Sequence, residues 1–202
     1  MARRSEHSQQ QIREMVLNAA QAIVIEEGFV GLTVRKIAMS IDYTVGSIYM
    51  VFENMADLVM HINAKTLDDI ELALKQDQSG SPEERIQNMA KAYLKYANQN
   101  YNRWQMIFEY RLPQGSKLPD WYLEKIDYVF SPIERLIAQL TPHDLAQTKR
   151  AARALWSGVH GICVLSLNGS LDRVGVENVE ASVDILVNSF LRGWVKQAEL
   201  IT

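Results

Sequence analysis

A chain of 202 residues is long enough to bury one large core or two small ones. Its hydrophobic fraction of 48% excludes a disordered polymer, and its net charge of −3 excludes a nonspecific polycationic coat for nucleic acid. The lone cysteine, Cys163, excludes an internal disulfide framework and suits a reducing compartment.

The opening residues MARRSEHSQQQ hold no apolar run of the signal-peptide kind. No later stretch approaches the ~20 apolar residues of a membrane span, so a cytoplasmic protein is expected. Arg3 and Arg4 make a short basic arm, read either as a frayed terminus or as a phosphate or minor-groove contact. A first helix is predicted over about residues 8–27. Ile12, Val16, Ala19, Ala20 and Ile23 form its apolar stripe, and Gly28 is its stop.

Residues 33–52 read TVRKIAMSIDYTVGSIYMVF. Thr33 is placed to cap a helix whose Val34, Ile37, Ala38 and Ile41 share one face. Asp42 can take the left-handed conformation of a turn. Thr44 then caps a second short helix, with Val45, Ile48 and Phe52 able to face inward and Thr44, Ser47 and the Tyr49 hydroxyl left outside. Two short capped helices at a steep angle fit a helix-turn-helix, whose second helix presents its N-terminal residues to the major groove. On that reading Tyr43, Thr44, Val45 and Ser47 are the candidates for base-edge and methyl contacts. Thr33, Arg35, Lys36 and Tyr49 are the candidates for phosphate contacts. Residues 1–60 carry five cations against seven acids. Binding to double-stranded DNA must therefore rest on the placement of a few cations rather than on bulk charge.

A fourth helix is expected from Asn54 to about Lys75, coupling head and body without a flexible linker. Ser81-Pro82-Glu83-Glu84 is a compact start for a fifth. Residues 101–131 are rich in aromatics, and residues 111–119 interrupt the helical pattern with two prolines and Gly115. Further helices are predicted over about 120–140 with Pro132 inside, from the Thr141-Pro142 cap to Leu167, and over about 176–197. In the 142–167 helix, Ala154, Gly158, Gly161 and Leu165 fall on one side, and Trp156, Val159, His160, Cys163 and Leu167 nearly opposite. The small-residue face suits close helix packing, and with the last helix it suggests a four-helix interface between two copies. No strand pattern and no internal repeat appears. The expectation is an all-α fold of about nine helices, with a head over residues 1–53 and an effector-binding, dimerising body over 54–202.

The segments EEGF (26–29), TVRKIA (33–38), TVGSIYMVF (44–52) and NMADL (54–58) resemble the DNA-binding head of the tetracycline-repressor (TetR-like) family over roughly residues 10–60. Two positions depart from its pattern: Asp42 stands where the turn usually has Gly, and Met55 where the fourth helix usually starts with a phosphate-binding Lys. ALWSGVHGICVLSL (154–167) resembles a C-terminal domain found in a subset of that family. The resemblance implies a homodimer that reads a near-palindromic operator and is released from it by a small-molecule effector.

No metal or catalytic set is present: His7, His61, His143 and His160 have no ligand spacing, and there is no phosphate loop, so neither cofactor nor enzyme activity is expected. Aromatics at helical spacing are ordinarily core. Some of Trp104, Phe108, Tyr110, Trp121, Tyr122, Trp156 and His160 are nonetheless candidates to line an effector pocket among helices five to eight. His160 reads two ways, as a satisfied core residue or as a ligand contact beside Trp156, one helical turn away. No basic cluster is visible in the body, which favours a moderately hydrophobic ligand over a sugar phosphate. An effector-blind architectural protein with the same head is the other functional reading.

Overall fold

The computed structural model describes residues 7–77, 79–112, 115, 117–141 and 144–199. They form ten α-helices and, among the described residues, no strand. In chain order these are α1 (Gln9–Gly31), α2 (Val34–Ser40), α3 (Val45–Tyr49), α4 (Met55–Leu74), α5 (Pro82–Gln99), α6 (Tyr101–Glu109), α7 (Asp120–Leu140), α8 (Leu145–Leu167), α9 (Ser170–Arg173) and α10 (Val179–Glu199). The helix beyond the expected nine is α9, a four-residue turn that follows Gly169 in the left-handed region.

The chain divides into two compact units, Met1–Leu67 with Asn100–Tyr122, and Asp68–Gln99 with Leu123–Thr202. This division differs from the sequence boundary at 53/54: α6 packs on α1 in the first unit, and α4 passes out of that unit after Leu67. In the first unit Val16, Ala20 and Val24 of α1, Ile37 of α2, Ile48 of α3, Val59 and Ile62 of α4 and Met106 of α6 meet in one buried core. In the second, α5, α8 and α10 pack on one another around residues such as Ile86, Ala97, Leu155, Cys163, Val183 and Val187.

Capping chemistry explains most helix starts. Ser8 and Gln11 form a reciprocal capping box at α1, and Ser81 and Glu84 do the same at α5. Gly28 interrupts rather than ends α1: its backbone sits at φ 72°, ψ −175°, and one more turn follows to Gly31. The Ile25 carbonyl there accepts a hydrogen bond from Asn102 Nδ2 at 2.9 Å. The α8 start also differs from expectation. Its cap is Asp144, which accepts from the Gln147 amide at 2.7 Å, and the helix begins at Leu145; the expected start at Pro142 lies outside the described residues. An ionised carboxylate at the positive end of a helix is a stronger cap than a Thr hydroxyl.

Candidate nucleic-acid interface and ligand cavity

The turn between α2 and α3 is built by the backbone. Tyr43 N–H donates to the Ala38 carbonyl and Asp42 N–H to that of Met39, with Asp42 at φ 56°. This is the paired hydrogen-bond pattern of a Schellman motif, with Asp in the left-handed position that Gly most often fills. Thr33 Oγ1 accepts from the Lys36 amide and Thr44 Oγ1 from the Ser47 amide, so both expected caps are present.

These contacts orient α3, the candidate recognition helix. Ile48 and Phe52 are buried, and Val45 packs partly against the core. Thr44, Tyr49 and Met50 are exposed. The Thr44 and Ser47 hydroxyls lie 3.0 Å apart, so the cap and a candidate base-reading group share one hydrogen bond. The Tyr43 hydroxyl lies 2.8 Å from His7 Nδ1. Arg35 is exposed, whereas Lys36 is ion-paired with Glu27. Met55, where the family pattern has Lys, packs partly on the head core. Arg3 and Arg4 lie outside the described residues.

A cluster that sequence reasoning missed holds the far end of α3. Arg13 of α1 donates to the Val51 carbonyl, lies over the Phe52 ring at 4.3 Å, and sets its other guanidinium nitrogen against His61 Nε2. His61 stacks on Trp121 at 4.5 Å, and its Nε2 is 3.3 Å from Asp57 Oδ1. Its members come from α1, the chain after α3, α4 and α7, so no sequence spacing announces them. Burial holds the His61 pKa below its usual 6.5, the Arg13 charge lowers it further, and Asp57 opposes both. A depressed histidine favours the folded state above its unfolded pKa, and that contribution is lost as pH falls through the folded value. Thermal stability should therefore drop as pH is lowered below about 6.5, and His61→Gln should flatten that drop. His160, whose pKa burial also lowers, acts in the same direction, so the comparison belongs in a His160→Gln background. An unchanged pH profile in His61→Gln would show that the titration of this imidazole does not contribute to stability.

The second unit has an apolar cavity of about 40 Å³ walled by Leu74, Ile86, Tyr93, Phe130, Trp156 and Val159 among others. Trp156 stacks on His160 at 4.9 Å and meets Phe130 edge-on at 5.5 Å. His160 Nδ1 is 2.9 Å from the Tyr93 hydroxyl. The seven candidate ligand residues thus divide between the units. Trp156 lines this cavity, and His160 stacks on Trp156 without lining it. The other five belong to the first unit: Trp104 meets Phe108, Tyr110 meets Phe29, and Trp121 meets His61 and Tyr122. Tyr122 is bonded to Asn63, and burial pushes its phenol up to about 12. Cys163 is wholly buried and its thiol is likewise pushed up to about 12, which fits an inert apolar filler. Among the described residues no group of His, Cys, Asp and Glu is placed to hold a metal, and no helix is long and apolar enough to cross a membrane.

A helix-turn-helix in one compact unit and an apolar cavity in another define an all-α DNA-binding regulator. The chain belongs to the tetR family of bacterial regulatory proteins. The profile of that family matches residues 16–62, and a second, described as the tetracyclin repressor-like C-terminal domain, matches residues 86–190. An uncharacterised helix-turn-helix-type transcriptional regulator of Mycobacterium tuberculosis is 26% identical over 170 residues, covering 83% of this chain and 75% of its own. A protein of unknown function from Rhodococcus sp. RHA1 has the same fold, with a TM-score of 0.73 at 20% identity, covering 95% of this chain and 98% of that one. The regulator RolR, solved with the ligand resorcinol, aligns with a TM-score of 0.64 at 14% identity over 91% of this chain and 87% of its own. The family is one of transcriptional regulators and not of enzymes.

Proposed function

We propose that this protein is a cytoplasmic, homodimeric repressor that blocks a promoter by occupying a near-palindromic operator and leaves it when a small, moderately hydrophobic ligand binds. The division of labour is a head over residues 1–53 and an effector-binding, dimerising body over 54–202. The observation that carries the reading is the juxtaposition of the Trp156–His160–Tyr93 set with an apolar cavity, in a chain whose other unit holds a capped recognition helix. Helix α4 starts just after the head and runs unbroken from Met55 to Leu74, and a continuous helix transmits a rotation that a loop would absorb. Among proteins of this fold, one is described with a small aromatic ligand.

In this mechanism Tyr43, Thr44, Val45 and Ser47 read base edges, and Thr33, Arg35, Lys36 and Tyr49 hold phosphates. Two such heads related by a two-fold axis engage half-sites about 34–36 Å apart. Ligand shifts the population toward a body conformation in which α4 has moved and the two recognition helices no longer match the groove spacing. Ligand and DNA must then weaken each other by the same factor.

Selection of bound DNA from a random library supplies the operator for the test. Arg35→Ala should lower affinity for all sequences alike and reduce the salt dependence, because a phosphate contact carries no sequence information. Ser47→Ala should instead change preference at one position by about 1–3 kcal/mol. If both variants bind the selected operator like wild type, the interface lies elsewhere. A metabolite screen for operator release decides between ligand control and an effector-blind body. The small size of the cavity is what the second would also show, since drug-sized pockets run to roughly 300–1,000 Å³.

A further inference from the structure

The contact between Arg13 and His61 depends on where the imidazole carries its protons. A guanidinium only donates, so His61 Nε2 accepts from Arg13 through its lone pair. A carboxylate only accepts, so the same Nε2 meets Asp57 Oδ1, 3.3 Å away, through a proton. One ring nitrogen serves one of these partners at a time. The neutral ring with its proton on Nδ1 holds Arg13. The protonated ring gives its Nε2–H to Asp57 and sets a second cation against the guanidinium.

The ring has little room to avoid that choice. It is stacked on Trp121 at 9° and meets the Phe52 ring edge-on at 5.7 Å. Arg13, in turn, ties α1 to the end of α3. One of its nitrogens donates to the Val51 carbonyl, and its guanidinium covers Phe52. Val51 and Phe52 form the turn that closes α3, and both their amides donate to the Ile48 carbonyl. A proton on His61 therefore reaches α3 through a single intermediary.

The other charged and titratable groups around the ring leave this choice in place. On α4, Asp57 also accepts from the Glu53 amide, and Lys65 is held by Asn18 and Gln21 of α1. After α3, Glu53 lines a cleft of about 400 Å³ with Arg13, Tyr49, Asp57 and His61. On α7, Trp121 stands between the exposed Asp120 and Tyr122, whose phenol is neutral over the whole physiological range. The cleft and the 27% exposure of the His61 side chain give protons a path to the ring without unfolding.

We infer that Arg13 and His61 are positioning residues for DNA binding: neutral His61 holds Arg13 against the end of α3, and a proton on His61 releases that tie, so the protein leaves its operator as pH falls. This rests on the DNA-binding reading above and adds a proton as a signal separate from the small molecule. The operator-bound form holds one proton fewer at this site. Affinity is therefore full above the His61 pKa and falls by up to about ten-fold per pH unit below it. By the same linkage, operator binding must lower the His61 pKa.

The test starts from an operator selected at pH 8 and titrates it with full-length wild type and His61→Gln between about pH 8 and 5.5, at one ionic strength. Every other titrating group is common to both proteins, so the ratio of their affinities isolates His61. The ratio of wild type to His61→Gln should be constant at the alkaline end and fall by up to about ten-fold per pH unit at the acid end. Nuclear magnetic resonance of the wild-type imidazole, which needs no substitution, should show a lower His61 pKa in the operator complex than in the free protein. Arg13→Met keeps an apolar stem over Phe52 and removes the charge. It should weaken operator binding at pH 8, raise the His61 pKa and abolish the difference between free and bound protein. A constant ratio over the whole range, an imidazole pKa equal in the two states, or Arg13→Met binding like wild type at pH 8 would each overturn the inference and leave the DNA-binding reading standing. Recovery of no DNA at pH 8, where the tie is intact, would instead overturn that reading and this inference with it.

Discussion

Ile48→Ala should destabilise the head unit by about 2–5 kcal/mol and should lower operator affinity even where the protein remains folded. Helix α3 has five residues, too few for the backbone alone to hold it. Ile48 is its one fully buried side chain, at 0% exposure, set among Val16 and Ala20 of α1, Ile37 of α2 and Val59 of α4. Truncation removes the apolar surface that Ile48 buries and leaves a cavity that five helices cannot all collapse into. The turn bonds from Tyr43 and Asp42 fix where α3 starts, but Ile48 fixes its rotation about its own axis. Ile48→Val, which keeps the branch and loses one methyl, should cost about 0.5–1.5 kcal/mol and leave operator affinity near wild type. Urea titration gives the first quantity and DNA binding the second. A loss of DNA affinity in Ile48→Val as large as in Ile48→Ala would mean that α3 is positioned by its polar ends rather than by its buried side chain.

What could be read from the sequence was local. The caps at Thr33 and Thr44, the left-handed turn at Asp42 and the apolar faces of α1, α2 and α4 are written in neighbouring residues, because capping and periodicity act within one or two turns. The all-α class follows from the same signals. What escaped was assembled across elements. The Arg13–His61–Trp121 cluster draws on three helices and spans more than a hundred positions. Aromatic spacing made seven residues candidates, some of them to line one expected pocket, but helical spacing says only that a residue faces inward, not which core it enters. Five of the seven fall in one unit and two in the other. Thr141-Pro142 is a familiar helix opening in sequence, while the α8 cap is Asp144, whose side chain accepts from the Gln147 amide.

Gly161→Leu should split the proposed dimer while leaving each protomer folded, and Gly158→Leu should not give the same result. The two glycines share one face of α8 in sequence, yet their surroundings differ. A Cβ placed on Gly158 would come within 2.8 Å of Leu186 Cδ2 on α10 of the same chain, so this glycine serves helix packing inside the protomer. A Cβ on Gly161 meets nothing within 4 Å. One turn on from Gly161, α8 exposes Leu165 at 45%, and α10 exposes Ile185 at 69%, which suits a self-complementary apolar face. A Leu at 161 should raise helix propensity by roughly 1 kcal/mol and cost the protomer nothing. Across a two-fold axis it is met twice, and overpacking of about 1–3 kcal/mol at each site weakens association by one to several orders of magnitude. Sedimentation equilibrium should show wild type as a dimer and Gly161→Leu as a monomer at micromolar concentration, with near-equal urea midpoints once both are dilute. Operator affinity should fall in parallel, since one head alone engages one half-site. Gly158→Leu should instead lower the midpoint of unfolding, because Leu186 must move. A monomeric wild type, or a Gly161→Leu variant that sediments as wild type, would remove α8 from the interface and with it the two-fold arrangement of the recognition helices proposed here.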